Sequence, residues 1–267
     1  MKTFIFLLVS SIILAATWVH CTFGGLEMLI PTLLKQIKSP AIQAETITDA
    51  PETSTDIFAE EPYEYAYAGF DPSPANLNIA KWHLLLVNRD FILPEDFEVT
   101  LAPAVADDPE SLMLDYRVAP HFNEMYLAAL EDGVELKPVS GYRSQETQRN
   151  NFHKKIDSYV AEGYSVEEAT QMASTIVLLP GTSEHNAGFA MDINSLEQDF
   201  DKTDEFAWLC ENAADYGFIL RYPKDKQHIT KIIYEPWHWR YVGVEAAQFM
   251  VATGQCFEEY LGIVEAE

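Results

Sequence analysis

From residue 119 onward, hydrophobic positions fall into helical periods closed by capping residues. In APHFNEMYLAALEDG, residues 119–133, Phe122, Met125, Tyr126, Ala129 and Leu130 share one helical face, Pro120 stands in the first turn and Gly133 ends the run. Ser144 is placed to cap a second helix, which runs through QETQRNNFHKKIDSYVAEG to Gly163. Ser165 and Glu168 have the spacing of a capping box and open a third. TDEFAWLCENAADYG, ending at Gly217, and VEAAQFMVATG, residues 244–254, predict a fourth and a fifth.

Shorter runs have the strand period. KWHLLLVN, residues 81–88, predicts a strand or the lead into one, VELKPV (134–139) another, and FAMDI, FILRYP and WHWRYV three more. In FAMDI the residues Phe189, Met191 and Ile193 alternate with Ala190 and Asp192, which turns the aspartate away from the apolar set. In WHWRYV the residues Trp237, Trp239 and Tyr241 alternate with His238, Arg240 and Val242, so the histidine lies opposite an aromatic face. Helices and short strands interleave without βαβ regularity. The fold class expected is therefore α+β, with helices packed on a small, mainly antiparallel sheet.

Composition then bounds the partners. The chain has 267 residues, 48% of them hydrophobic, which suffices for one large domain with extensions. Its 42 acidic against 17 basic residues give a formal charge of −25, which disfavours nucleic acid as a partner. Residues 1–23 carry Lys2 and then a nearly unbroken apolar run, the pattern of a signal peptide or an N-terminal membrane anchor. Either places the remainder outside the cytoplasm. Residues 24–75 are acidic, rich in Pro and Thr and without clear period, and are expected to be a linker. Residues 76–264 remain as the folded domain, with a monomer as the default state. Cys21, Cys210 and Cys256 include no CxxC pair and so offer no metal site; Cys210 and Cys256 suit a disulfide or two separate thiols equally.

Three segments carry candidate chemistry. GTSEHNAGFAMDI, residues 181–193, holds His185 and Asp192, both metal-ligand types, and read alone is as well explained by a turn leading into a buried strand. YEPWHWRYVG, residues 234–243, holds Glu235 and His238. Two imidazoles and a carboxylate leave the fourth tetrahedral position of a zinc ion open for water, as catalytic sites require. Glu235, next to a ligand without having to be one, has the character of a general base. SGYRSQETQ, residues 140–148, places Arg143 beside a helix N-terminus, a pairing that suits a carboxylate or a developing oxyanion, although alone it reads as a turn with a surface arginine. His83, His121, His153 and His228 lie outside these segments and are expected to pack or face solvent.

Together the three segments resemble the LAS-type zinc peptidases of bacterial cell walls, in particular their VanY-like D-alanyl-D-alanine carboxypeptidase branch. The family patterns SGYRSxxxQ, SxHxxGxAxD and ExWHxRYVG are matched by SGYRSQETQ, SEHNAGFAMD and EPWHWRYVG, within a similarity running from about Trp82 to Leu261. The resemblance implies a hedgehog-like fold and one Zn2+ ion held by His185, Asp192 and His238. It implies Glu235 as catalytic base and then acid, Arg143 on the scissile carbonyl oxygen, and Gln148 and Ser183 holding the substrate's terminal residue. The helix N-terminus at Ser144 is a further candidate for the terminal carboxylate. Gln145 departs from the family, where an aromatic is common. Peptidoglycan stem peptides are the implied substrates, in the bacterial cell envelope. Three other readings share these motifs: an L,D-carboxypeptidase acting on tetrapeptide stems, an endopeptidase acting on cross-bridges, and a non-catalytic zinc-dependent wall-binding module, which could dispense with Glu235 and Arg143. A serine-type carboxypeptidase is disfavoured because the sequence contains no Ser-x-x-Lys.

Overall fold

A computed structural model describes residues 70–265, so the expected leader and nearly all of the expected linker lie outside the described residues. Its strands are β1 (Ser73–Pro74), β2 (Phe91–Ile92), β3 (Leu101–Pro103), β4 (Met113–Asp115), β5 (Pro138–Ser140), β6 (Ala190–Ile193), β7 (Phe218–Leu220) and β8 (His238–Tyr241). The helices are α1 (Ala119–Glu131), α2 (Gln145–Ala161), α3 (Val166–Ala173), α4 (Asp204–Asn212), α5 (Gln227–Thr230), α6 (Val244–Thr253) and α7 (Phe257–Tyr260). The main sheet runs β5-β6-β8-β7 and is antiparallel throughout; β1 pairs β2 in parallel and β3 pairs β4 antiparallel. This is the α+β arrangement expected.

The capping predictions hold residue by residue. Ser144 accepts from the Thr147 amide at the start of α2, and the Ser165–Glu168 box opens α3. The fourth helix tightens into a 3-10 turn, Ala213–Tyr216, before Gly217 closes it in the left-handed conformation. The sheet's two faces divide as the alternation requires. Phe189, Met191, Ile193, Trp239 and Tyr241 pack with Phe122 and Met125 of α1 in the main core, each large buried side chain stabilising by about 1.5–3 kcal/mol. Asp192 and His238, paired in register across β6 and β8, occupy the other face.

Residues 81–88 differ from expectation. A 3-10 turn, Trp82–Leu84, replaces the start of the strand, and Asn88 and Phe91 form only an isolated bridge. The apolar alternation is nevertheless used: Leu85 and Val87 enter the main core, whereas Leu84 and Leu86 enter a second one with Val242, Met250 and Phe257. Among the described residues no strand forms a ladder with this segment. Instead the Arg240 guanidinium donates to the carbonyls of His83 (3.1 Å) and Leu85 (2.8 Å), satisfying this backbone from a side chain 157 and 155 residues away. VELKPV forms its strand late, at Pro138–Ser140. Cys210 is exposed and Cys256 buried, and they are separate thiols rather than a disulfide.

Candidate active site

Two strands and one turn bring the metal-ligand types together. Asp192 (β6) faces His238 (β8), and His185 sits in the 3-10 turn Glu184–Ala187 that leads into β6. That turn ends at Gly188, with φ of 69°, where an added Cβ would stand 2.7 Å from the Asp115 amide nitrogen. Only glycine permits this reversal against β4, whose Asp115 amide donates to the Gly188 carbonyl at 2.9 Å.

His185 Nε2 lies 3.3 Å and His238 Nδ1 3.1 Å from Asp192 Oδ1, and the three buried donor atoms lie within 4.8 Å of one another. Each ring's second nitrogen is committed elsewhere: His185 Nδ1 donates to the Gly141 carbonyl (2.8 Å), and His238 Nε2 to Glu184 Oε2 (3.1 Å). The lone pairs of the other two nitrogens therefore converge on Asp192 Oδ1, a buried oxygen with no hydrogen bond of its own. Three convergent acceptors without a donor call for a cation, and two imidazoles with a carboxylate fit zinc. In the protein without an ion, burial disfavours the Asp192 carboxylate, yet the two imidazoles hold it well below the usual carboxylate range. Burial opposes a charge on His238, but the carboxylates of Asp192 and Glu184, one beside each ring nitrogen, raise it to about 9.

Glu235 stands in the turn before β8, with its carboxylate 3.8 Å from His238 Nδ1. Burial pushes its carboxyl up to about 8; His238 opposes and Asp192 reinforces that shift. Arg143 leaves β5 with its amide bonded to the His185 carbonyl (3.0 Å) and its own carbonyl accepting from Asn186 Nδ2 (2.8 Å), which fastens SGYRS to SEHNAG. Its Nη1 donates to Gln148 Oε1 at 2.9 Å and its Nη2 reaches Asp192 Oδ2 at 3.5 Å, while Nε has no partner. These groups open on one cavity of about 400 Å³, also lined by Ser183, Tyr222, Trp237, Leu178 and Ile232.

The expected residues do not all serve alike. Ser183 is buried in the cavity wall. Gln148 also lines it, but both ends of its amide are taken, by Arg143 and by the Leu178 carbonyl (2.6 Å). Ser144 is not among the residues lining the cavity; its hydroxyl accepts from the Thr147 amide and donates to Thr147 Oγ1, capping α2. His83 and His121 pack against Tyr241, as expected of histidines outside the site. Glu184 and Tyr222 were not singled out by the sequence. Glu184 is an unremarked position inside SxHxxGxAxD. Tyr222 is fully embedded with an unpartnered hydroxyl, and its ring centroid is 4.9 Å from that of His238.

Comparison with known proteins agrees with this geometry. Residues 111–244 match the family described as VanY, D-alanyl-D-alanine carboxypeptidase. A D-alanyl-D-alanine carboxypeptidase of Enterococcus faecalis (strain ATCC 700802 / V583) is 41% identical over 181 residues, which span 68% of this chain and 66% of the relative. A vancomycin resistance D,D-pentapeptidase VanY from a VanB-type resistance cassette, solved as a mutant with Zn(II), is similar at 41% identity and a TM-score of 0.60, covering 67% of this chain and 99% of that one. VanYB in complex with D-alanine-D-alanine is similar at 40% identity and a TM-score of 0.61, covering 69% and 99%. With the family pattern spanning half its length and the donor set of a zinc centre behind it, the chain belongs to the VanY family of D-alanyl-D-alanine carboxypeptidases.

Proposed function

We propose that the chain is a zinc-dependent D-alanyl-D-alanine carboxypeptidase that hydrolyses the C-terminal D-Ala of peptidoglycan stem peptides or their precursors. The observation that carries this reading is the convergence of His185 Nε2, Asp192 Oδ1 and His238 Nδ1 on one cavity shared with Glu235 and Arg143. Zinc bound there supplies a Lewis acid and a water acidic enough to react near neutral pH.

The chain's own residues do the rest. Glu235 takes a proton from the attacking water and delivers it to the leaving amine nitrogen, from a buried position with its carboxylate 3.8 Å from His238 Nδ1. Arg143 donates to the scissile carbonyl oxygen as charge develops, and Nε offers a donor that no protein group occupies. Gln148 holds the Arg143 fork, and Ser183 presents a hydroxyl to the substrate's terminal residue. The apolar walls at Leu178 and Ile232 exclude water and accommodate a small methyl side chain. Residues 1–23 act as leader or anchor and residues 24–75 as a spacer, so that the monomeric domain works in the extracytoplasmic envelope.

The test is amino-acid release from pentapeptide and tetrapeptide stems, followed by mass spectrometry with the zinc-loaded protein. Loss of D-Ala from the pentapeptide is expected, abolished by a zinc chelator and insensitive to β-lactams. Release from the tetrapeptide alone would reassign the protein as an L,D-carboxypeptidase. Zinc binding with neither stem cut would leave a wall-binding module or an endopeptidase acting on cross-bridges.

A further inference from the structure

Behind the metal ligands lies a buried ionic cluster that the proposed reaction does not use. Glu184, fully buried, receives Arg221 Nε at 2.7 Å on Oε1, with Arg240 Nη1 3.7 Å from the same oxygen. The other two Arg221 nitrogens donate to Glu258 of α7, Nη1 at 2.9 Å, and Glu258 Oε1 also accepts from Asn88 Nδ2 at 3.0 Å. Two arginines and two glutamates balance in charge before any histidine is counted. Where only stability is at stake, apolar residues of similar volume serve as well as buried ion pairs. What this cluster has that an apolar one lacks is a free carboxylate oxygen, Glu184 Oε2, aimed at His238 Nε2 from 3.1 Å.

We infer that Glu184 is the positioning residue that fixes His238 for metal binding, and that Arg221, anchored by Glu258, braces it; the inference rests on the zinc reading of the site. An ionised carboxylate only accepts, so Glu184 keeps the proton on His238 Nε2 and leaves the Nδ1 lone pair facing Asp192 Oδ1. The two imidazoles are thus oriented by different means. His185 donates to a backbone carbonyl, that of Gly141, which needs no further support. His238 donates to a side chain that could swing away, and the Arg221 fork prevents that. The brace passes from the metal ligand through Glu184 and Arg221 to the C-terminal helix α7 and to Asn88, joining elements that contribute nothing to the cavity.

Glu184→Gln tests this with a change of one atom. A glutamine has a single acceptor oxygen, which the guanidinium of Arg221 takes, so its amide nitrogen turns toward His238 and donates to Nε2. The proton on His238 is then forced to Nδ1, the atom that must face the metal. Competition with a chromogenic chelator should show the zinc dissociation constant raised about 10–100-fold. Lys226→Met is the control, because it breaks a comparable buried ion pair, with Glu259 at 3.0 Å, that does not touch His238. It should lower the thermal stability of the protein and leave zinc affinity unchanged. A folded Glu184→Gln protein that binds zinc as tightly as the wild type overturns the inference, as does an equal loss of affinity in the control. If Glu184→Gln does not fold, nitrogen-15 NMR of the zinc-loaded wild type decides: a proton on His238 Nε2 is expected, and a proton on Nδ1 overturns the inference. A wild type that binds no zinc instead refutes the metal reading itself, which separates the two failures.

Discussion

Gln148→Leu separates a residue that holds substrate from one that holds Arg143. Leucine nearly matches the buried shape but removes both amide bonds, the acceptance from Arg143 Nη1 at 2.9 Å and the donation to the Leu178 carbonyl at 2.6 Å. A hydrogen bond to a charged group contributes about 1.5–3 kcal/mol and an orphaned buried carbonyl costs about 1–3 kcal/mol, so the loss of stability should be about 2.5–6 kcal/mol. For a domain of this size that is a fall in Tm of about 5–24 °C, measurable by calorimetry. Activity should fall for a different reason. Without its partner the Arg143 fork is free to rotate, and a misplacement of about 1 Å in a group that stabilises the transition state costs about 100-fold. Steady-state kinetics on a pentapeptide stem should therefore show kcat reduced about 100-fold with KM little changed. A raised KM with kcat preserved would refute the positioning argument and return Gln148 to the substrate.

Ser144→Ala removes a helix cap and no substrate contact, so stability should fall by about 1 kcal/mol in denaturant titrations while KM and kcat stay at wild-type values. Gly188→Ala forces a side chain into the left-handed region and against the Asp115 amide nitrogen at 2.7 Å, and a loss of about 2 kcal/mol or more is expected, read by the same titration. Burial would raise the Glu258 carboxyl, but Arg221 outweighs it and holds the group below its ordinary value. Its contribution is then complete above the unfolded pKa of about 4.3 and is lost as pH falls through the depressed folded value. Tm should drop as pH goes from about 5 to about 3. Glu258→Gln should flatten that decline, and an unchanged acid limb would contradict the assignment.

Legibility in the sequence tracked the range of the interactions. Ser144, Ser165 and Glu168 announce helix starts because a cap is decided within four residues. The faces of β6 and β8 follow from alternation alone, which set Asp192 and His238 opposite the apolar core before their pairing was seen. Residues 81–88 misled because alternation marks two buried sides and not a ladder, and the group that satisfies their carbonyls is Arg240, far along the chain. The hairpin of β3 and β4 was missed because three-residue strands have too little period to detect. Glu184, Arg221 and Glu258 escaped notice for an electrostatic reason: charged residues are ordinarily solvated, and their burial here becomes affordable only when partners 37 residues apart meet.

The central claim is that Glu235, buried beside His238, moves the proton at a zinc centre whose ligands are His185, Asp192 and His238. Glu235→Ala tests it most directly, because the substitution removes the proton carrier and leaves all three ligands in place. The variant should bind one equivalent of zinc like the wild type while its rate of D-Ala release from a pentapeptide stem falls by a factor of about 100 to 10,000. Undiminished turnover in a zinc-loaded Glu235→Ala protein would contradict the account.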